Sequence, residues 1–258
     1  MQVVRDNTKT FDYYNLALNY RENTLKNFLQ NVHDKEHATT PALWAFIQAL
    51  YFEIADLMFS KGDEPEAIKL VIEKGLETQS IKMAHYRKQK KSLQNALKEE
   101  TTEDYPEFKR AYAGAASFQH YYSILQILAR CIFFNVDKQL FQKYCEDLTI
   151  PGADFVFDYL INTQNSNWPV KGKVSYPKKT IQLYEACKAT DQNEIETILI
   201  HYTSGWRTKL RGHPLFGPHM MKDYNYTGYW CYEAAAVAKL KNSITSNLIE
   251  LKYFPSFV

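Results

Sequence analysis

Glycine and proline are scarce in this chain, nine of each among 258 residues. An all-β sandwich or barrel needs a tight turn roughly every ten residues, and the residues that make such turns are too few here. Cysteine is sparser still. Cys131, Cys145, Cys187 and Cys231 are widely separated, form no CxxC pair and lie in apolar surroundings. They are expected as reduced core residues, with no disulfide framework and no zinc ribbon. An excess of one charge is also missing: 31 Lys+Arg stand against 29 Asp+Glu, for a net charge of +2. The balance holds within each half, which excludes a basic nucleic-acid arm and an acidic tail.

The motifs of common chemistry are absent as well. There is no GxxxxGK[ST] phosphate loop, no GxGxxG, no HExxH, no GxSxG and no zinc-finger spacing. His201, His213 and His219, with Asp223 nearby, form the closest histidine group, but one lies on a helix and two in a Gly/Pro loop. The expectation is therefore a protein with no catalytic residues, no cofactor and no metal. Ala111 to Ala129 carries no formal charge, yet Gln119, Ser123, Gln126 and Arg130 recur on one side of it at steps of four, three and four. That is an amphipathic helix rather than a membrane span. The N-terminus, MQVVRDNTKTFDYYN, has no apolar h-region, so the expected location is cytoplasmic.

What the chain has in abundance is helical periodicity. Phe11, Tyr14, Leu18, Arg21, Leu25, Phe28 and Val32 alternate steps of three and four, a seam interrupted only by Arg21. The stem of Arg21 is expected to lie on apolar neighbours while its head reaches a carboxylate or water. Thr40-Pro41 predicts an N-cap with proline at the first helical position, and Lys61-Gly62 a stop. A longer helix follows from Asp63-Glu64-Pro65 to Leu97, which Gly75 is expected to weaken or kink. Further helices are predicted over residues 118–134, 137–148, 154–161, 178–189, 191–209 and 228–241. The only strand signal, Lys173 to Tyr176, is too short to anchor a sheet, and the loop from Asn162 to Pro177 is expected to be mobile or a contact surface. The fold class is thus all-α, with packed antiparallel helices in two helical subdomains, 1–135 and 136–258.

The last long helix is apolar almost all round, and three successive alanines, Ala234 to Ala236, let neighbours approach closely. A lone Glu233 inside it must meet an arginine or several hydrogen-bond donors, and Arg207 and Arg211 are the candidate partners. Trp206 and Trp230 are expected to pack rather than to stack on a ligand.

The segment GYWCYEAAAVAKL, preceded by WRTKLRGH, resembles the C-terminal signature of the PoNi-type immunity proteins, which protect bacteria against polymorphic nuclease toxins delivered by contact-dependent secretion systems. Gly228, Tyr229, Trp230, Tyr232, Glu233, Ala234, Ala235, Ala236, Val237, Lys239 and Leu240 carry the resemblance, and Tyr253-Phe254-Pro255 is similar to the family's terminal aromatic-proline element. The chain departs from the family at Lys241 to Thr245, where acidic residues are usual, and in an insertion around Pro214 to Tyr224.

The resemblance implies a non-enzymatic protein whose partner is a cognate toxin, with no direct contact to nucleic acid or membrane. An inhibitor that covers the DNA groove of a nuclease competes with phosphate for a basic surface. In a chain of net +2 this falls to a local patch, and the densest acidic run is Glu99, Glu100, Glu103, Asp104 and Glu107. These five are the expected toxin-binding residues; Arg207, Arg211, Gly228, Tyr229, Trp230 and Glu233 are the expected structural signature. The alternative is a helical nucleic-acid-binding or regulatory protein using the basic stretch from Arg87 to Lys98.

Overall fold

The computed structural model describes residues 4–34, 40–97, 117–148, 151–220 and 223–257. Among them there are helices and turns but no strand, so the all-α class holds. The chain divides into two compact units, residues 1–107 with 223–228, and residues 108–222 with 229–258. The helix Phe118–Phe133, placed by sequence in the first subdomain, belongs to the second unit.

The first unit is built on α1 (Phe11–Asp34), α2 (Pro41–Lys61) and α3 (Pro65–Leu97). The α2 boundaries follow the sequence signals: Thr40 accepts the Leu43 N–H at 3.2 Å, and Gly62 takes a left-handed conformation, φ 102°, returning its N–H to Met58 and Phe59. By length and composition α2 is apolar enough to cross a membrane. Here it packs against both α1 and α3, with residues such as Ile47, Leu50, Leu57 and Phe59 buried. Gly75 does not end α3. A Cβ there would lie 3.1 Å from the Tyr51 Cβ and 3.3 Å from the Phe52 ring, so the glycine permits the close α2–α3 approach.

The α1 seam is buried as expected at Tyr14, Leu18 and Leu25, half-buried at Phe11, Phe28 and Val32, and Arg21 within it is 8% exposed. Its Nε donates to Glu53 at 2.5 Å, and Nη2 donates to the Asn225 side chain at 3.1 Å. Asn225 belongs to the segment 223–228, which is tied to the unit by Tyr226 Oη to Asp6 at 2.5 Å and Ser60 Oγ to the Thr227 carbonyl at 2.7 Å. Arg21→Leu should lower stability by about 1 to 2 kcal/mol, because Glu53 is partly exposed and regains water when its partner leaves. A thermal midpoint unchanged in that variant would show that the pair contributes nothing.

The second unit contains α4 (Phe118–Phe133), α5 (Lys138–Leu148), α6 (Phe155–Asn162), α7 (Pro177–Lys188), α8 (Gln192–Lys209), α9 (Tyr232–Leu240) and α10 (Ser246–Ile249). Helix α9 is central and packs against α4, α7 and α8. Ala234, Ala235 and Ala236 are fully buried, as the need for close approach implied. The helix starts at Tyr232 rather than Gly228, because the Cys231 N–H is taken by the Tyr253 carbonyl at 2.8 Å. All four cysteines are free and buried.

Two expectations are corrected in this unit. Of the polar stripe on α4, Gln119 and Ser123 face solvent, but Gln126 and Arg130 are buried, 3% and 7% exposed. The loop from 162 to 177 is pinned rather than free. The Asp158 carboxylate accepts the N–H groups of Gly152, Lys171 and Gly172 and the Trp168 indole N–H, at 2.8 to 3.1 Å. Asp154 caps α6 through Val156 and Phe157 while its other oxygen accepts the Ser175 N–H at 2.8 Å. The weak strand signal at 173–176 is the extended stretch these bonds hold against the start of α6, where Lys173 accepts the Phe155 N–H at 3.1 Å.

Candidate functional site

Glu233 lies in the first turn of α9 with no exposed surface. Two helices supply its partners by the same device, a pair of residues four apart that share one face. From α4 come Tyr122, whose hydroxyl donates to Oε1 at 3.0 Å, and Gln126, whose amide donates to Oε2. From α8 come Tyr202 and Trp206, donating to Oε1 at 2.9 and 2.8 Å. The donors also bond one another: Tyr122 Oη accepts from Gln126 at 2.6 Å and from the Trp206 indole at 2.8 Å.

Every direct partner is neutral. Burial pushes the Glu233 carboxyl above its ordinary range, while its own backbone N–H and the bonds from Tyr202, Trp206 and Tyr122 pull it back. The same burial, and then the charge of Glu233, raises the Tyr122 and Tyr202 hydroxyls far above theirs. Position in the first helical turn adds the favourable end of the α9 dipole. A cation stands further back: Lys209 Nζ sits 4.0 Å over the Tyr202 ring, its pKa lowered by burial and raised by Cys231 and Glu233.

The arginines expected beside Glu233 are elsewhere. Arg207 is turned toward the loop that follows α8, where its Nη2 meets His219 Nε2 at 3.2 Å and its guanidinium faces the rings of Tyr229 and Phe216. Arg211 is exposed beyond the helix end. Four neutral donors replace an ion pair because α4 and α8 bring tyrosine, glutamine and tryptophan into reach, and these fill the space as well as the hydrogen bonds.

Gly228 takes φ 121°, a conformation that favours glycine, where the chain turns toward α9. Tyr229 and Trp230 are buried, 5% and 8% exposed, and the Tyr229 hydroxyl lies 2.6 Å from His219 Nδ1. Trp206 packs as expected and also donates to the carboxylate. Of the histidine group, His201 is exposed and His213 is buried, its Nδ1 accepting the Leu215 N–H at 3.1 Å. Burial pushes the His213 pKa down. Asp223 binds Asn225 within its own turn. Among the described residues no three His, Cys, Asp or Glu side chains are grouped to hold a metal ion. Glu99, Glu100, Glu103, Asp104 and Glu107 lie outside the described residues.

Sequence reasoning missed Tyr122, Gln126 and Tyr202 as partners of Glu233, and missed Asp158 altogether. The i, i+4 spacing of Tyr122 with Gln126 and of Tyr202 with Trp206, which puts each pair on one helix face, was the signal the sequence held. Chemically the arrangement is closed. A carboxylate with no exposed surface and four donors on it orders three helices and offers nothing to a substrate.

No curated protein matches the chain. The crystal structure of protein PA2201 from Pseudomonas aeruginosa is similar to it, with a TM-score of 0.74 and 13% identity, covering 98% of this chain and 88% of that one. At that identity the likeness concerns the fold. The family model described as "PoNe immunity proteins (PoNi), C-terminal" matches residues 152–257, a stretch that holds Asp154, Asp158, the α8 pair and Glu233. Over that stretch the chain is similar to the PoNi immunity proteins.

Proposed function

We propose that the protein acts in the cytoplasm as the immunity partner of an antibacterial nuclease toxin, binding the toxin and blocking it by occlusion. The observation that carries this is the PoNi match over residues 152–257. The closed state of Glu233 favours a scaffold for binding over a catalytic role. Inhibition then rests on the surface that the helices present, and a nuclease groove that holds phosphate would be met by acidic side chains.

The direct test is co-expression with the toxin-like reading frame expected beside this gene. Cells carrying both should grow and the two proteins should co-purify; toxicity that persists despite ample immunity protein would overturn the proposal. The acidic run is the proposed contact to the toxin. Glu100→Lys, Glu103→Lys and Asp104→Lys together should slow association at least tenfold, more so at low salt, and abolish protection. An unchanged association rate would place the contact elsewhere.

A further inference from the structure

The C-terminal turn of α8 gathers cations that form no ion pair with a carboxylate among the described residues. Arg207, Lys209 and Arg211 follow one another along the chain, and Lys179 joins them by donating to the Lys209 carbonyl. Lys209 is held by Gln182 at 2.5 Å, and Lys179 sits 4.0 Å over the Phe118 ring. The negative end of the helix dipole makes this a favourable place for positive charge, but it supplies no counter-ion.

Arg207 is held from several sides. Its Nη2 meets His219 Nε2 at 3.2 Å, His219 Nδ1 lies 2.6 Å from the Tyr229 hydroxyl, and that hydroxyl donates to the Phe216 carbonyl at 3.2 Å. With the Tyr229 hydroxyl donating to Phe216, the matching arrangement has the His219 proton on Nδ1 and the Nε2 lone pair toward the arginine. The guanidinium is also held against the Phe216 and Tyr229 rings, 5.7 and 5.3 Å from their centroids. Its Nε is buried with no acceptor among the described residues. A planar donor group is thus set in place by the His219 ring and two aromatic faces, with no anion on it among the described residues. Beside it, Arg211 is exposed and Met220 is 72% exposed. Arginine, methionine and aromatic side chains around an unneutralised charge are the composition of a protein-binding surface.

We propose that this surface, centred on Arg207 and Arg211, docks an acidic segment of the partner toxin; this rests on the toxin-binding function proposed above. A carboxylate accepts the donors that remain, and the prior ordering of Arg207 lowers the entropy lost on binding. A polypeptide fits better than a nucleic acid, because the cations surround one helix end instead of tracking a phosphate backbone, and the net charge is only +2.

The test uses the full chain with a catalytically inactive form of the toxin encoded beside it, and separately with a penta-glutamate peptide. Arg211→Glu changes an exposed side chain, and Arg207→Gln with Arg211→Gln removes both charges; thermal midpoints establish that each variant is folded. Toxin affinity should fall at least tenfold in both variants, and the peptide should bind the unaltered protein in a salt-sensitive way that both variants lose. If the unaltered protein fails to bind the toxin, the immunity function fails, while the peptide measurement still judges the surface. Unchanged toxin affinity in folded variants, no peptide binding by the unaltered protein, or preferential binding of a single-stranded oligonucleotide at these residues would each overturn the proposal.

Discussion

Gly172→Ala should unseat the loop that precedes α7. A Cβ at position 172 would stand 2.3 Å from the Asp154 carbonyl carbon and 2.4 Å from the Phe155 nitrogen, both backbone atoms at the start of α6. Neither side can give way without loss. The Gly172 N–H is bonded to Asp158 at 2.8 Å, Lys171 is bonded to the same oxygen at 3.0 Å, and Asp154 holds Ser175 further along. The cost is about 3 kcal/mol or more, the upper range for forcing volume into a packed site. In a protein of this size that lowers the thermal midpoint by roughly 10 °C.

Gly152→Ala is the control, since Gly152 has φ +87° and no atom within 4 Å of an added Cβ. It should lose only about 1 kcal/mol, the penalty of left-handed backbone. Equal losses in the two variants would show that the loop is not seated on α6 as described.

Glu233 gives the second large effect. Glu233→Ala removes the acceptor shared by Tyr122, Gln126, Tyr202 and Trp206 and leaves a cavity, for a loss of about 3 to 5 kcal/mol by denaturant unfolding. Glu233→Gln should lose about 1 to 2 kcal/mol, because rotation of the Gln126 amide would turn its oxygen toward the new amide group while the hydroxyl and indole donors keep their acceptor. Losses of the same size in both variants would mean that the carboxylate oxygens are not the acceptors.

The two side chains also differ in their response to pH. Burial raises the Glu233 carboxyl above its unfolded value, so the folded state holds the proton to higher pH than the unfolded chain does. The resulting stabilisation is full below the ordinary carboxyl range and is lost as pH rises through the raised value. Asp154 is pushed up by burial too, but it is present in both proteins and cancels. As pH rises above the ordinary carboxyl range, the stability of the unaltered protein should therefore fall relative to Glu233→Gln. A difference that stays flat or grows in the opposite sense would contradict the raised pKa.

The sequence alone determined most of the helices; α9, which starts at Tyr232 rather than Gly228, and the short α10 are the exceptions. The α1 seam, the Thr40 cap and the Gly62 stop were legible because periodicity and capping act within a few residues of chain. It also determined that Glu233 would be buried and satisfied, since its neighbours on α9 are apolar on every side.

Which groups satisfy Glu233 was decided only by tertiary structure. Gln126 lies on a stripe that looked solvent-facing, yet α9 covers that part of α4 and turns its amide onto the carboxylate. Arg207 is close in sequence and opposite in charge, but α8 points it toward His219 and gives the position facing Glu233 to Trp206. The 162–177 loop has the composition of a mobile segment and is held instead by Asp154 and Asp158. Local composition fixes what a residue can bond; the packing of α4, α8 and α9, which brings together groups about a hundred residues apart, selects the partner it bonds.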